Sequence, residues 1–145
     1  MALQTSLKRL LVVEDDPDQL QAVRDRLELY GYAVSCAKDG QIALEMLQAE
    51  DAFDGVLLDL NLPHVPGIQF LTDTRQSLPH LPVLVMSASS SRLQAAKESR
   101  LACGYIAKPF ERAQFKQAVY ECFGPACQAA APVAASPQGG LCRGG

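Results

Sequence analysis

The stretch Leu10-Leu11-Val12-Val13-Glu14-Asp15-Asp16, residues 10–16, decides the fold. Four apolar residues in an unbroken run predict a strand covered on both faces, because a half-exposed strand would alternate apolar with polar residues. The run stops on three acids, residue types that do not follow a strand into a core unpaired. Pro17 comes next, where the first turn of a helix tolerates a residue lacking its N–H. Leu20, Val23, Leu27 and Tyr30 then recur at helical spacing, and Gly31 ends the pattern. The unit is a buried strand, an acidic edge and an amphipathic helix.

The same unit recurs to the end of the domain. Residues 32–36 predict a second strand, and Ile42, Ala43, Met46 and Leu47 form the stripe of a second helix. Residues 55–58 are a third apolar run, ending at Asp59, with Ile68, Phe70 and Leu71 in the helix that follows. Residues 82–86 run into Ser87, and residues 92–100 make a weak fourth helix. Residues 105–107 run into Lys108, and Phe115, Ala118, Val119 and Cys122 line a fifth helix. Five strand–helix units predict an α/β fold, a (βα)5 doubly wound parallel sheet with helices on both faces. Right-handed crossovers leave few topologies, and the flavodoxin-like strand order 2-1-3-4-5 is the expected one.

With 145 residues, 48% hydrophobic and 20% charged, the chain suits a single globular domain. No apolar run approaches bilayer length, and the first residues lack a long apolar segment, so neither membrane insertion nor a signal peptide is expected. A net charge of −3 argues against direct nucleic-acid binding through a broad basic surface. The five cysteines, at 36, 103, 122, 127 and 142, form no CxxC pair. Cys36 and Cys122 lie in apolar patterns, where reduced, buried thiols are expected, and a cytoplasmic location follows. After Gly124 the composition turns to Ala, Pro and Gly, with Arg143 the only charge. Residues 1–124 are therefore expected to be the domain, with 12 basic against 16 acidic residues and a net charge of −4. Residues 125–145 are expected to be a disordered or loosely packed tail, either a native terminus or a linker.

Ligands of an open parallel sheet bind beyond the carboxyl ends of its strands. Those ends carry Glu14, Asp15 and Asp16, then Asp59, Ser87 and Lys108. Gathered carboxylates repel one another, and a hard divalent cation relieves the repulsion. Oxygen ligands without histidine or cysteine point to magnesium or manganese. A lysine can balance a carboxylate or a phosphoryl oxygen. The set suits phosphoryl transfer, where catalysis is mostly positioning and charge neutralisation. Neither GxxxxGK[ST] nor GxGxxG is present, so no bound nucleotide is expected. That leaves a carboxylate as the group that takes the phosphoryl, and Asp59 stands alone at the end of its strand.

VVEDD, LLDLNLP-x3-G, VMSA and YIAKPF, in this order over residues 8–123, resemble the receiver domain of two-component response regulators, of the single-domain, chemotaxis-regulator-like kind. The resemblance implies that Asp59 is the phosphoacceptor and Mg2+ the cofactor. It implies Glu14, Asp15, Asp59 and the backbone carbonyl of Asn61 around the metal, with Glu14 acting largely through water. Ser87 and Lys108 would each meet a phosphoryl oxygen, and Tyr105 would be a switch aromatic that turns inward when Ser87 moves. The donor would be a histidine kinase or histidine phosphotransfer protein, and the output docking to a further protein. The Lys108–Pro109 bond is expected to be cis. Turnover on an external substrate is not expected. An aspartate-nucleophile phosphohydrolase on a related scaffold is the alternative, but such enzymes need an acid where Asn61 stands.

Plainer roles compete at some positions. Asp16 suits a helix cap better than a metal ligand, and Tyr105 could be core. Pro66 replaces an acid common in the family, and Leu101 falls where a glycine usually closes helix four, so that helix is expected to end irregularly. His64 and His80 lie in loops and are given no role.

Overall fold

The computed structural model describes residues 5–49, 53–62 and 66–129. The strands are β1 (Thr5–Leu7), β2 (Arg9–Val13), β3 (Ala33–Ala37), β4 (Gly55–Asp59), β5 (Val83–Ser87), β6 (Gly104–Ala107) and β7 (Cys127–Ala129). The helices are α1 (Pro17–Leu29), α2 (Gly40–Ala49), α3 (Gly67–Ser77), α4 (Ser90–Ser99) and α5 (Arg112–Phe123). Five strands pair in parallel in the order β3-β2-β4-β5-β6. Counted among those five alone, this is the expected 2-1-3-4-5.

The apolar runs form parallel strands because both faces of the sheet are covered. Leu11 and Val13 of β2, Val56 and Leu58 of β4, and Val83 and Val85 of β5 face a core closed by α2, α3 and α4. Leu10 and Val12, Leu57, and Leu84 and Met86 face the opposite core, closed by α1 and α5. Alternate residues thus enter two separate cores, and none of these side chains is left to water. Each buried Leu or Val contributes about 1.5–3 kcal/mol relative to exposure. This double burial fixes register, since a one-residue slip would exchange the two faces.

The α1 helix begins as expected. Asp16 is its N-cap, its carboxylate accepting from the N–H groups of Asp18 and Gln19, with Pro17 in the first turn. Gly31 has φ +103°, a left-handed conformation that suits glycine just past a helix end. The irregular end of α4 takes a definite form. Arg100 adopts φ 59° at the C-cap, and the Arg75 guanidinium donates to the Leu101 carbonyl, bracing the next loop.

Two features depart from the expectations. The segment after α5 begins with a short strand: β7 pairs antiparallel with β1, and the Lys8 N–H donates to Ala126 O at 2.7 Å. Residues 130–145, most of the expected tail, lie outside the described residues, as does His64. Cys122, expected as a reduced buried thiol, instead forms a disulfide with Cys103, their Cα atoms 5.8 Å apart. The two are 19 residues apart, and only the packing of α5 over the start of β6 brings them together. Cys36 remains a free thiol, its pKa pushed up mainly by burial.

Gly67, the first residue of α3, packs against the residue that follows the third parallel strand's acid. A Cβ built there would lie 2.7 Å from Leu60 Cα, and backbone cannot swing aside. Gly67→Ala is expected to destabilise the fold by about 1–3 kcal/mol through overpacking. Urea unfolding should show a lower midpoint with an unchanged slope.

Candidate functional site

The carboxyl ends of β2, β4, β5 and β6 deliver the polar residues of one edge. The register pairs Val13 with Leu58, so the next step along each strand sets Glu14 beside Asp59. Ladder bonds continue past the strands: Glu14 N–H donates to Ala37 O at 3.1 Å, Leu60 N–H to Met86 O at 3.0 Å, and Lys108 N–H to Ser87 O at 2.9 Å. The backbone of the site is therefore part of the sheet and shares its rigidity.

Glu14 and Asp59 are buried, while Asp15 is exposed at the rim. One carboxylate oxygen from each of the three lies within 4.8 Å of the others. Lys108 Nζ donates to Glu14 Oε1 at 3.1 Å and to Asp59 Oδ2 at 3.0 Å. The Asn61 N–H donates to Asp59 Oδ1 at 2.9 Å, so both oxygens of Asp59 are oriented. Asp16 lies outside this set and serves as the cap, the plainer of its two expected roles.

The electrostatics show how far one ammonium balances this cluster. Burial, together with the hydrogen bond and negative charge of Asp59, raises the Glu14 pKa to about 7 despite the opposing pull of Lys108. On Lys108, burial acts to lower the pKa, but hydrogen bonds and charge from Asp59 and Glu14 outweigh it and raise it. Two buried carboxylates and one ammonium leave negative charge in excess, beside a further carboxylate at the rim. An all-oxygen donor set with that excess fits a hard divalent cation, which Glu14, Asp15 and Asp59 could hold.

Ser87 and Tyr105 occupy the expected positions with local partners. Ser87 is buried, and its Oγ accepts from Ser89 N–H at 3.0 Å and donates to Ser89 O at 3.3 Å. Tyr105 is half-buried, packs on the core that contains Leu93 and Ala96 of α4, and donates to Ala102 O at 3.3 Å. The Lys108–Pro109 bond is cis. Two further residues escaped the sequence reading. Gln19 Oε1 accepts from Lys108 Nζ at 2.6 Å, and the Arg92 guanidinium of α4 donates to Asn61 Oδ1. The only sequence signal for either is its place in the first turn of a helix that starts at the site edge.

Residues 10–120 match the response regulator receiver domain family. The chain is 35% identical over 119 residues to chemotaxis protein CheY-3 of Vibrio cholerae, covering 79% of this chain and 91% of that protein. It is 38% identical over 104 residues to response regulator protein FleR of Pseudomonas aeruginosa, covering 71% of this chain and 22% of FleR. It is 32% identical over 143 residues to probable histidine kinase 4 of Oryza sativa subsp. japonica, covering 81% of this chain and 14% of the kinase. The chain thus spans less than a quarter of the length of these last two relatives. Among solved structures, response regulator protein TrrA of Thermotoga maritima, in complex with Mg(2+)-BeF, superposes with a TM-score of 0.74. It is 26% identical, and the match covers 80% of this chain and 99% of that one.

Titration with magnesium should shift the amide signals of Asp15, Asp59 and Asn61 in a nitrogen–proton correlation spectrum. Replacing both Asp15 and Asp59 by Asn should remove the saturable response. Saturable shifts that persist in that double variant would place the cation elsewhere.

Proposed function

The chain belongs to the response regulator receiver domain family, and on that premise we propose that it is a phosphorylation switch whose acceptor is Asp59. The observation that carries the reading is the buried Asp59 carboxylate, held at 3.0 Å by Lys108 and at 2.9 Å by Asn61 N–H, with two further carboxylates beside it. A nucleophile must be oriented, and a developing charge must meet fixed donors. Asp59 has both.

An Asp59 oxygen attacks the phosphorus of a phosphohistidine carried by a histidine kinase or phosphotransfer protein. The new O–P bond forms as the P–N bond breaks, and the imidazole nitrogen keeps the electron pair. Lys108 and Ser87 then each meet a phosphoryl oxygen. Glu14, Asp15, Asp59 and the carbonyl of Asn61 would hold Mg2+, with Glu14 acting largely through water. When bound, the ion neutralises charge on the phosphoryl oxygens. The magnesium and beryllofluoride that TrrA holds support this assignment. No turnover on an external substrate is part of the reading.

The receiver unit is residues 1–124 and residues 125–145 its tail, within which residues 127–129 pair as β7 with β1. The cytoplasm is the proposed location. Among the described residues no helix is long and apolar enough to cross a membrane. The Cys103–Cys122 disulfide runs against the usual state of thiols in a reducing compartment.

Output runs through the face made by α4, β6 and α5. Phosphorylation adds about two negative charges at Asp59. Ser87 must leave its bonds to Ser89 to reach them, and Tyr105 is the half-buried ring beside α4 that can fill the space opened. The docking partner is a further protein.

Acetyl phosphate with magnesium should add one phosphoryl group that hydroxylamine removes. Asp59→Asn should take none, measured by intact mass, and full labelling of that variant would mean that another carboxylate is the acceptor. Tyr105→Ala should still be labelled but lose the change in amide exchange that beryllofluoride induces in α4. A wild-type response in that variant would route the coupling around the tyrosine.

A further inference from the structure

Gln19 belongs to none of the strand-end motifs, yet its side chain completes the surroundings of Lys108. An ammonium has three N–H donors in a tetrahedral arrangement and no acceptor. Here they meet three acceptors: Glu14 Oε1 at 3.1 Å, Asp59 Oδ2 at 3.0 Å and Gln19 Oε1 at 2.6 Å. The shortest of the three bonds goes to the amide oxygen of Gln19.

The Gln19 amide is itself oriented. Its Nε2 donates to Asp16 Oδ2 at 3.4 Å, which leaves the carbonyl oxygen facing Lys108. The opposite flip would set NH2 against ammonium and oxygen against carboxylate. Asp16 is held in turn as the N-cap of α1, accepting from Asp18 N–H at 2.9 Å and Gln19 N–H at 3.3 Å. A rigid helix end therefore fixes an amide, and the amide fixes a lysine donor.

Gln19 and Lys108 both line a cavity of about 510 Å³ whose other walls include Val23, Pro109, Phe110 and Phe115, with Arg26 and Arg112. Apart from Gln19, the side chains named in that wall are apolar or arginine, and neither kind offers the third N–H a side-chain acceptor. Without Gln19, the ammonium would stay near its carboxylates by charge but would be free to rotate.

We propose that Gln19 is a positioning residue for Lys108: its carbonyl oxygen sets the ammonium's rotation so that one of the other two N–H groups stays on Glu14 and the other stays on Asp59, beside the place where a phosphoryl oxygen arrives. When an Asp59 oxygen gives its electron pair to phosphorus, the N–H it had accepted turns to a phosphoryl oxygen. With the third N–H pinned, that transfer needs only a short movement, and the donor is preorganised. Because Gln19 is uncharged, it contributes direction and leaves the charge balance of the cluster unchanged. This role rests on the reading of Asp59 as phosphoacceptor.

The test compares full-length wild type, Gln19→Met and Gln19→Glu. Methionine keeps length without an oxygen acceptor, and glutamate keeps an oxygen at the same reach. Labelling of Asp59 by acetyl phosphate is followed by intact mass, magnesium affinity by titration, and the Lys108 ammonium by its nitrogen–proton cross-peak before phosphorylation. The methionine variant should lose the ammonium cross-peak to fast exchange. It should be labelled about fivefold more slowly at saturating donor, the scale of one lost hydrogen bond, with magnesium affinity unchanged. The glutamate variant should keep the cross-peak, because one carboxylate oxygen still reaches Lys108; its second oxygen faces Asp16 and its charge enters the cluster, so the cross-peak and not the rate is its readout. A methionine variant that keeps the cross-peak, or that is labelled at the wild-type rate while wild type is labelled normally, overturns the role of Gln19 alone. A wild-type chain that takes no label at Asp59 overturns the reading of the acceptor, and the role of Gln19 with it.

Discussion

Negative charge gathered at one edge of the sheet is the constraint on which the rest of the structure depends. Glu14 and Asp59 are both buried and stand side by side, an arrangement that a low-dielectric interior opposes. Lys108, from the end of β6, is what makes it tenable, donating to both. Burial and the neighbouring Asp59 together still push the Glu14 pKa up against the pull of Lys108. Such an edge has capacity for a proton or a cation, and it presents an oriented carboxylate oxygen to an incoming group.

The edge can be held this way because the sheet behind it does not yield. β2, β4 and β5 place alternate residues in two separate cores, so each strand is clamped from both faces and cannot slip. Ladder bonds extend that clamp to Glu14, Leu60 and Lys108. At the start of α3, Gly67 lets the helix approach the Leu60 backbone more closely than a larger residue would allow. The site is thus built on rigid elements and completed by short loops, the division of labour that ligand sites on open α/β sheets require.

Contacts also leave the edge in two directions. Through Gln19 and Asp16, Lys108 is tied to the first turn of α1. Through the Arg92–Asn61 bond, the loop after β4 is tied to the first turn of α4. Ser87 stands between these routes with its hydroxyl turned to Ser89, and Tyr105 lies against the core under α4. The Cys103–Cys122 disulfide joins α5 to the start of β6, at the end of that strand away from Lys108. A change at Asp59 is therefore adjacent to the elements whose exposed faces could meet a partner.

Much of this was legible in the residues alone. Unbroken apolar runs ending on Glu14, Asp59, Ser87 and Lys108 determined the parallel sheet, its two covered faces and the edge where chemistry collects, because burial pattern and strand direction are local properties of the chain. Pro17 and Gly31 marked the ends of α1, and Asp16 its cap, for the same reason. Only the tertiary structure decided which groups meet across the sequence. Lys108 and Gln19 are 89 residues apart, and nothing in the pattern of an exposed glutamine on a helix announces a lysine partner. The Cys103–Cys122 pairing and the β1–β7 strap likewise depend on where α5 lands on the sheet. Periodicity says which face of a helix is buried, whereas the rotation and depth at which it settles, set by side-chain packing in the two cores, decide which polar atoms come within bonding distance.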